Sequence, residues 1–156
     1  ITRDGAFKRM TPDQWFEVIH TNLCSLYNVT QPLFDAMCEQ RDARIINISS
    51  VNGQKGQFGQ VNYSAAKAGM LGFTKALAAE GARFGVTVNA IAPGYTATPM
   101  VEAIRTDILD SIKADIPMRR LAKPEEIAAA VVFLASEAGA YITGETLAIN
   151  GGLYMK

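Results

Sequence analysis

The sequence predicts an α/β fold with helices packed on a parallel sheet. Three observations predict it. Arg44-Ile45-Ile46-Asn47-Ile48-Ser49-Ser50 is a short β-branched run, apolar on both faces, as a central strand covered by helices must be. Two further runs, Val86 to Ile91 and Thr146 to Ile149, read as strands, and the order is helix, strand, helix, strand, helices, strand. That alternation calls for parallel strands joined by right-handed crossovers. Ser49-Ser50 and Pro93-Gly94 stand at the carboxyl ends of the first two strands, where open sheets of this kind bind ligands.

Residues Ile1 to Met10 read as a loop. Thr11-Pro12-Asp13 starts a helix, with Thr11 as N-cap, Pro12 in the first helical position and Asp13 in the first turn. Trp15, Val18, Ile19, Leu23, Leu26, Leu33 and Met37 recur at helical spacing and carry it to about Gln40, with a kink or break expected at Pro32. Asn22 falls on the buried face, so its amide needs a hydrogen-bond partner. Val51 to Gln60, with Gly53, Gly56 and Gly59, reads as a loop. A long helix follows to about Phe84. Ala65, Gly69, Gly72 and Ala76 form a small-residue stripe on it, suited to a close helix contact either between subunits or within the chain. Thr98 to Lys113 reads as one amphipathic helix, Ile116 to Lys123 as a connector, and Pro124 to about Ser136 as a helix apolar on most sides and therefore buried. Thr143-Gly144 is a turn, and Asn150-Gly151-Gly152 closes the last strand.

The 156 residues suffice for one domain with a real core. Fifteen acidic and fifteen basic residues balance, which argues against nucleic acid or an anionic membrane as partner. Apolar runs such as Ile127 to Ala135 are too short to span a bilayer. Cys24 and Cys38 read as buried free thiols, and a cytoplasmic location is expected. There is no metal-ligand cluster. His20, the only histidine, sits mid-helix in a structural role, which removes Ser-His-Asp and Cys-His mechanisms.

The chemistry centres on Asn62-Tyr63-Ser64-Ala65-Ala66-Lys67. Tyr63 and Lys67 are four residues apart and share a helix face. An ammonium at roughly 4 Å, at an effective dielectric near 20, favours a phenolate by about 4 kcal/mol, or about three pKa units. That would bring Tyr63 towards the range of a general acid.

Ser50, Tyr63 thirteen residues on and Lys67 four further on have the spacing of the catalytic residues of the short-chain dehydrogenase/reductase family, and the chain resembles that family along nearly its whole length. Asn22 in Thr21-Asn22-Leu23 matches the family's fourth catalytic residue. Val88-Asn89-Ala90-Ile91-Ala92-Pro93-Gly94 matches the segment that passes the nicotinamide, and Arg120, Pro124-Glu125-Glu126 and Thr143-Gly144 to Asn150-Gly151-Gly152 match its C-terminal pattern. The resemblance implies a Rossmann-like, doubly wound parallel sheet. Ser49 to Gln60, Pro93-Gly94-Tyr95 and Asn150 to Met155 resemble members that reduce β-ketoacyl thioesters.

The resemblance therefore implies NADPH-dependent reduction of acetoacetyl-CoA to 3-hydroxybutyryl-CoA, with NAD possible as cofactor. Reduction of a β-ketoacyl group on carrier protein is the alternative. Tyr63 would donate the proton, Lys67 would lower its pKa and hold the nicotinamide ribose, Ser50 would bind the carbonyl, and Asn22 would hold a relay water. Pro93, Gly94 and Thr96 would lie along the nicotinamide, with Thr98 near the phosphates. Gln57, Phe58, Gln60 and Tyr95 would shape the acyl pocket, and Asp4 and Arg105 would meet the CoA portion. Arg119, Arg120 and Lys123 form either a patch for an acidic carrier protein or a solvated loop. The family also implies a homo-oligomer, commonly a tetramer.

Family members begin with a strand and a Gly-rich turn that cradles the pyrophosphate, then an Asn-Ala-Gly segment. This sequence starts at Ile1-Thr2-Arg3-Asp4 without them or an initiator Met, so residues 1–156 are expected to be the C-terminal portion of one such domain. It is expected to be either a fragment of the enzyme or a truncated product, possessing half of the dinucleotide site and an exposed sheet edge.

Overall fold

The computed structural model describes residues 1–155, with the backbone alone at Met100. Three parallel strands form one sheet in the order β1 (Ala43–Ile48), β2 (Val86–Pro93), β3 (Thr146–Ile149). Ala43 pairs with Val86 and Ile48 with Ile91, and Ala90 pairs with Thr146 and Pro93 with Ile149. The expected parallel α/β sheet is present.

Helix α1 (Pro12–Ile19) begins in a capping box: Gln14 N–H donates to Thr11 Oγ1 at 3.2 Å, and Thr11 N–H donates to Gln14 Oε1 at 2.9 Å. A π-helical turn, His20–Cys24, joins it to α2 (Ser25–Gln40). The irregularity thus falls at His20–Cys24, and α2 runs through Pro32 without the expected break. His20 opens that turn. It is exposed and stacks on Phe16, with ring centroids 6.0 Å apart. Cys24 and Cys38 are free and half-buried.

Beyond β1, the expected loop is partly helical. Ser50 caps α3 (Val51–Lys55) by accepting Asn52 N–H on Oγ at 3.1 Å. Helix α4 (Val61–Gly81) then crosses the sheet. Ala43, Val86, Val88 and Ala78 form a core with Phe34, Met37 and Leu77 of α2 and α4, and Asn47 on the same strand face donates to Thr74 Oγ1 at 2.9 Å. Residues of β2 at alternate positions turn to the other face, and α7 (Pro124–Ala135) packs against β1 and β2. Every residue of β2 from Val86 to Ala92 is buried, the polar Thr87 and Asn89 included.

Two further expectations are corrected. The segment from Thr98 to Lys113 is two helices, α5 (Pro99–Glu102) and α6 (Thr106–Asp115), parted where Arg105 turns extended. Helix α7 is not buried: Leu134 is, but Val132 is 67% and Phe133 44% exposed. The small-residue stripe meets the rest of the chain at Gly69, where Leu23 packs, while Ala65, Gly72 and Ala76 are exposed.

Candidate active site

Both strand ends meet the start of α4 at one rim. Lys67 fastens that helix to β1 from two sides. Its ammonium donates to Ile48 O at 2.8 Å, and its own carbonyl accepts from Ser49 Oγ at 2.8 Å. Gly53 lets α3 lie against the same turn, because a Cβ there would stand 2.7 Å from the Lys67 carbonyl carbon. In the sequence Ser49 reads only as a strand end and Gly53 only as a loop breaker. Both work through three-dimensional contacts that leave no periodic trace.

An open cleft of about 360 Å³ lies at this rim. Ser50, Tyr63, Gln60 and Asp4 line one side of it, and Gly94, Tyr95, Thr96 and Thr98 another, with Val101 and Ile104 as an apolar wall. Eight expected site residues are therefore together. Asn22, Lys67 and Pro93 lie behind this lining rather than in it. Gln57, Phe58 and Arg105 are outside the cleft: Gln57 accepts from Lys55 Nζ at 2.7 Å, Phe58 is 91% exposed, and Arg105 pairs with Asp107 at 2.5 Å in solvent.

Buried amides build the frame. Asn62, fully buried, donates to Arg3 O and Gln14 O, both at 3.0 Å, while Tyr63 N–H donates to its Oδ1 at 2.8 Å. It joins the first residues, α1 and α4 beside the phenol. Asn22, in the π turn, donates to Ile1 O at 2.8 Å and Val18 O at 3.1 Å, and its Oδ1 accepts from Ile1 N at 2.9 Å. Both Asn22 N–H groups are thus engaged by the backbone, and its contacts are with Ile1 rather than Lys67. Asn89 ties β2 to the last turn, donating to Ile142 O at 2.7 Å and accepting from Glu145 N–H at 3.0 Å. Gly94 is required by a close approach, since a Cβ there would stand 2.8 Å from Asn150 Cα.

The electrostatics correct one expectation. The Tyr63 phenol is raised, not lowered, from its ordinary value: burial is the largest cause, Ser50 hydrogen bonding pulls the other way, and the Asp4 carboxylate raises it further. Lys67 is not among the causes of that shift; its ammonium donates to Ile48 O and lies 5.7 Å from the Tyr63 ring centroid, over the ring. Burial also lowers Lys67. Tyr95 is raised by burial, then by Asp115 and Asp4. Both cleft phenols are protonated near neutral pH, the state required of a hydrogen-bond or proton donor.

Fold and cleft define a Rossmann-like α/β protein whose ligand site opens at the carboxyl ends of a parallel sheet. A family model described as enoyl-(acyl carrier protein) reductase matches residues 1–154. The chain belongs to the short-chain dehydrogenase/reductase family. It is 67% identical over 155 residues to an acetoacetyl-CoA reductase of Acinetobacter sp. (strain RA3849), covering 99% of this chain and 62% of that protein. It is 63% identical over 153 residues to nodulation protein G of Azospirillum brasilense, covering 98% and 62%. With a 3-oxoacyl-(acyl-carrier-protein) reductase of Vibrio harveyi it shares 50% identity over 155 residues, covering 99% and 64%. The chain thus spans less than two thirds of the length of these relatives. No described helix is long and apolar enough to cross a membrane.

Proposed function

We propose that this chain carries the proton-donating and substrate-binding side of a reductase that converts a β-ketoacyl thioester, acetoacetyl-CoA, to its 3-hydroxy product. The observation that carries the reading is the meeting of Ser50, Tyr63, Gln60 and Tyr95 around one cleft in a chain 67% identical to an acetoacetyl-CoA reductase. Residues 1–156 are read as the C-terminal portion of one family domain.

NADPH is the proposed cofactor. The hydroxyls of Thr96 and Thr98, the bare backbone at Gly94 and the neighbouring Lys67 ammonium suit the nicotinamide and ribose portion of a dinucleotide. When bound, the nicotinamide supplies the hydride. Ser50 holds the ketone oxygen where negative charge develops, and Tyr63 delivers the phenolic proton to that oxygen. Burial and Asp4 keep the proton on Tyr63 until an alkoxide appears. Lys67 orients the ribose and neutralises charge beside the phenolate once the proton has left. Val101 and Ile104 shield the reacting carbon from water.

The carrier-protein alternative is less well supported. Arg120 is held by Glu126 through contacts of 2.7 and 2.6 Å, which removes charge from the patch that an acidic partner would need. The exposed Gly72 stripe and α7 face support a homo-oligomer, taken as a tetramer.

The test uses the longest natural polypeptide that carries this sequence. Reduced-nicotinamide consumption is followed with acetoacetyl-CoA and with acetoacetyl carrier protein. Higher kcat/KM on the CoA ester, and its loss by a factor of at least ~10³ in Tyr63→Phe with an unchanged circular-dichroism spectrum, are expected. Full turnover by Tyr63→Phe would mean that the proton comes from elsewhere.

A further inference from the structure

Between the Ser50 turn and the start of α4, three side chains form a polar relay. Asn52 Nδ2 donates to Gln60 Oε1 at 2.9 Å, and Gln60 Nε2 donates to Asp4 Oδ2 at 2.9 Å. Chemistry fixes its direction. An ionised carboxylate only accepts, so Gln60 turns its NH₂ to Asp4; its oxygen then faces Asn52, which answers with its own NH₂. Asn52, Gln60 and Asp4 all line the cleft with Ser50 and Tyr63. Asn52 is only 8% exposed, and its backbone N–H donates to Ser50 Oγ at 3.1 Å. One buried residue therefore touches the carbonyl-binding serine through its main chain and sets the Gln60 amide through its side chain. Asn52 Oδ1 is buried and unpartnered, so packing and the Gln60 contact, not its oxygen, hold the amide in place.

We propose that Asn52 is a positioning residue for the substrate. Asp4 sets the polarity of the Gln60 amide, and Asn52, by donating to its oxygen, holds the plane of that amide, so that the second N–H of Gln60 is kept for a carbonyl of the acyl thioester. The proposal rests on the β-ketoacyl-thioester reading above. Gln60 without the Asn52 donor would keep its NH₂ on Asp4 but would be free to swing about that one contact, and its second N–H would no longer be aimed.

Asn52→Asp preserves shape and the backbone cap but leaves Gln60 between two carboxylates, with one contact mismatched in either orientation. In the natural full chain, KM for acetoacetyl-CoA should rise about tenfold while kcat stays within a factor of about two. Asp4→Asn added to Asn52→Asp reverses the relay: the new amide at position 4 donates to the Gln60 oxygen, and the Gln60 NH₂ donates to the new carboxylate at position 52. Tm should then recover, because both contacts are matched again, while KM should stay high, because the reversed Gln60 amide no longer offers its second N–H from the side of position 4. An unchanged KM in Asn52→Asp overturns the proposal, as does a double variant whose Tm is no better than the two single effects combined or whose KM returns to the wild-type value. If Asn52→Asp does not fold, Asn52→Ala replaces it, with a smaller expected KM rise of about threefold. If wild type reduces no β-ketoacyl thioester, the functional reading fails. The relay is then judged by Tm alone, and absence of coupling between positions 52 and 4 overturns it.

Discussion

Replacing Gly53 by alanine tests whether the contact between α3 and α4 sets the reacting geometry. The added methyl would lie 2.7 Å from the Lys67 carbonyl carbon, 2.9 Å from its oxygen and 2.9 Å from its Cβ. That is about 0.7 Å short of ordinary contact, and the obstacle is mostly backbone, which cannot swing aside. Helix α3 must back away from α4. The Lys67 carbonyl also accepts the Ser49 hydroxyl at 2.8 Å, and Ser50 caps α3, so the displacement reaches the serine that faces Tyr63. Overpacking of this kind costs about 1–3 kcal/mol, partly offset by the ~1 kcal/mol that alanine gains over glycine in a helix. The net loss of about 1 kcal/mol lowers Tm by roughly 3 °C for a chain of this size. A shift of several tenths of an ångström at the ketone site should lower kcat by at least ~10-fold. Scanning calorimetry and steady-state kinetics read the two effects. Gly5→Ala, where nothing lies within 4 Å, is the control. A Gly53→Ala enzyme with wild-type Tm and kcat would refute the idea that this contact positions Ser50.

Three further outcomes follow from the same geometry. Ser50→Ala removes the hydrogen bonding that pulls the Tyr63 phenol down, so its pKa should rise further, read as a later tyrosinate absorbance step in a titration differenced against Tyr63→Phe; an earlier step would contradict the assignment. Glu126, held by Arg120 and by Lys123 N–H, titrates at about 2 instead of 4.5. Its contribution to stability is whole above about pH 4.5 and fades as pH falls towards 2, so the Tm gap between wild type and Glu126→Gln should close over that window, and more salt should shrink it; a gap that widens on acidification would be the wrong sign. Gly72→Leu fills an exposed position on the α4 stripe, and the native mass by light scattering should fall; unchanged mass and stability would leave the stripe without an assembly role.

Periodic features are legible in the sequence. The strands, α4 and the Tyr63–Lys67 pair follow from residue type and spacing alone, and Ser50 follows from its place after β1. Other features depend on neighbours distant in sequence. Val51–Lys55 contains Gly53 and ends at Gly56, so it reads as loop, yet its glycine answers to Lys67 and its first turn to the Ser50 hydroxyl. Helix α7 is apolar on most sides, which signals burial without saying by what; within this chain Val132 and Phe133 stay exposed. The Tyr63 pKa is beyond the reach of spacing, which gives the distance along a helix face, whereas the outcome depends first on burial, then on the Ser50 hydroxyl and on Asp4.

The cleft is framed less by apolar packing than by amides. Asn62 holds Arg3 O, Asn22 holds Ile1 through both backbone groups, and Gly5 N–H donates to Gly59 O at 2.8 Å, so the first five residues are tied to the α3–α4 side of the site by directional bonds. Directional bonds fix a position more sharply than apolar contact, because the donor must lie in line with its acceptor. That suits a segment whose task is to hold the Asp4 carboxylate near two phenols. Burial raises both Tyr63 and Tyr95 most, and Asp4 adds to it at each. The buried asparagines therefore act on the chemistry at one remove: they fix where a charge sits, and that charge adds to burial in holding the proton on two phenols that are protonated near neutral pH already at their ordinary value.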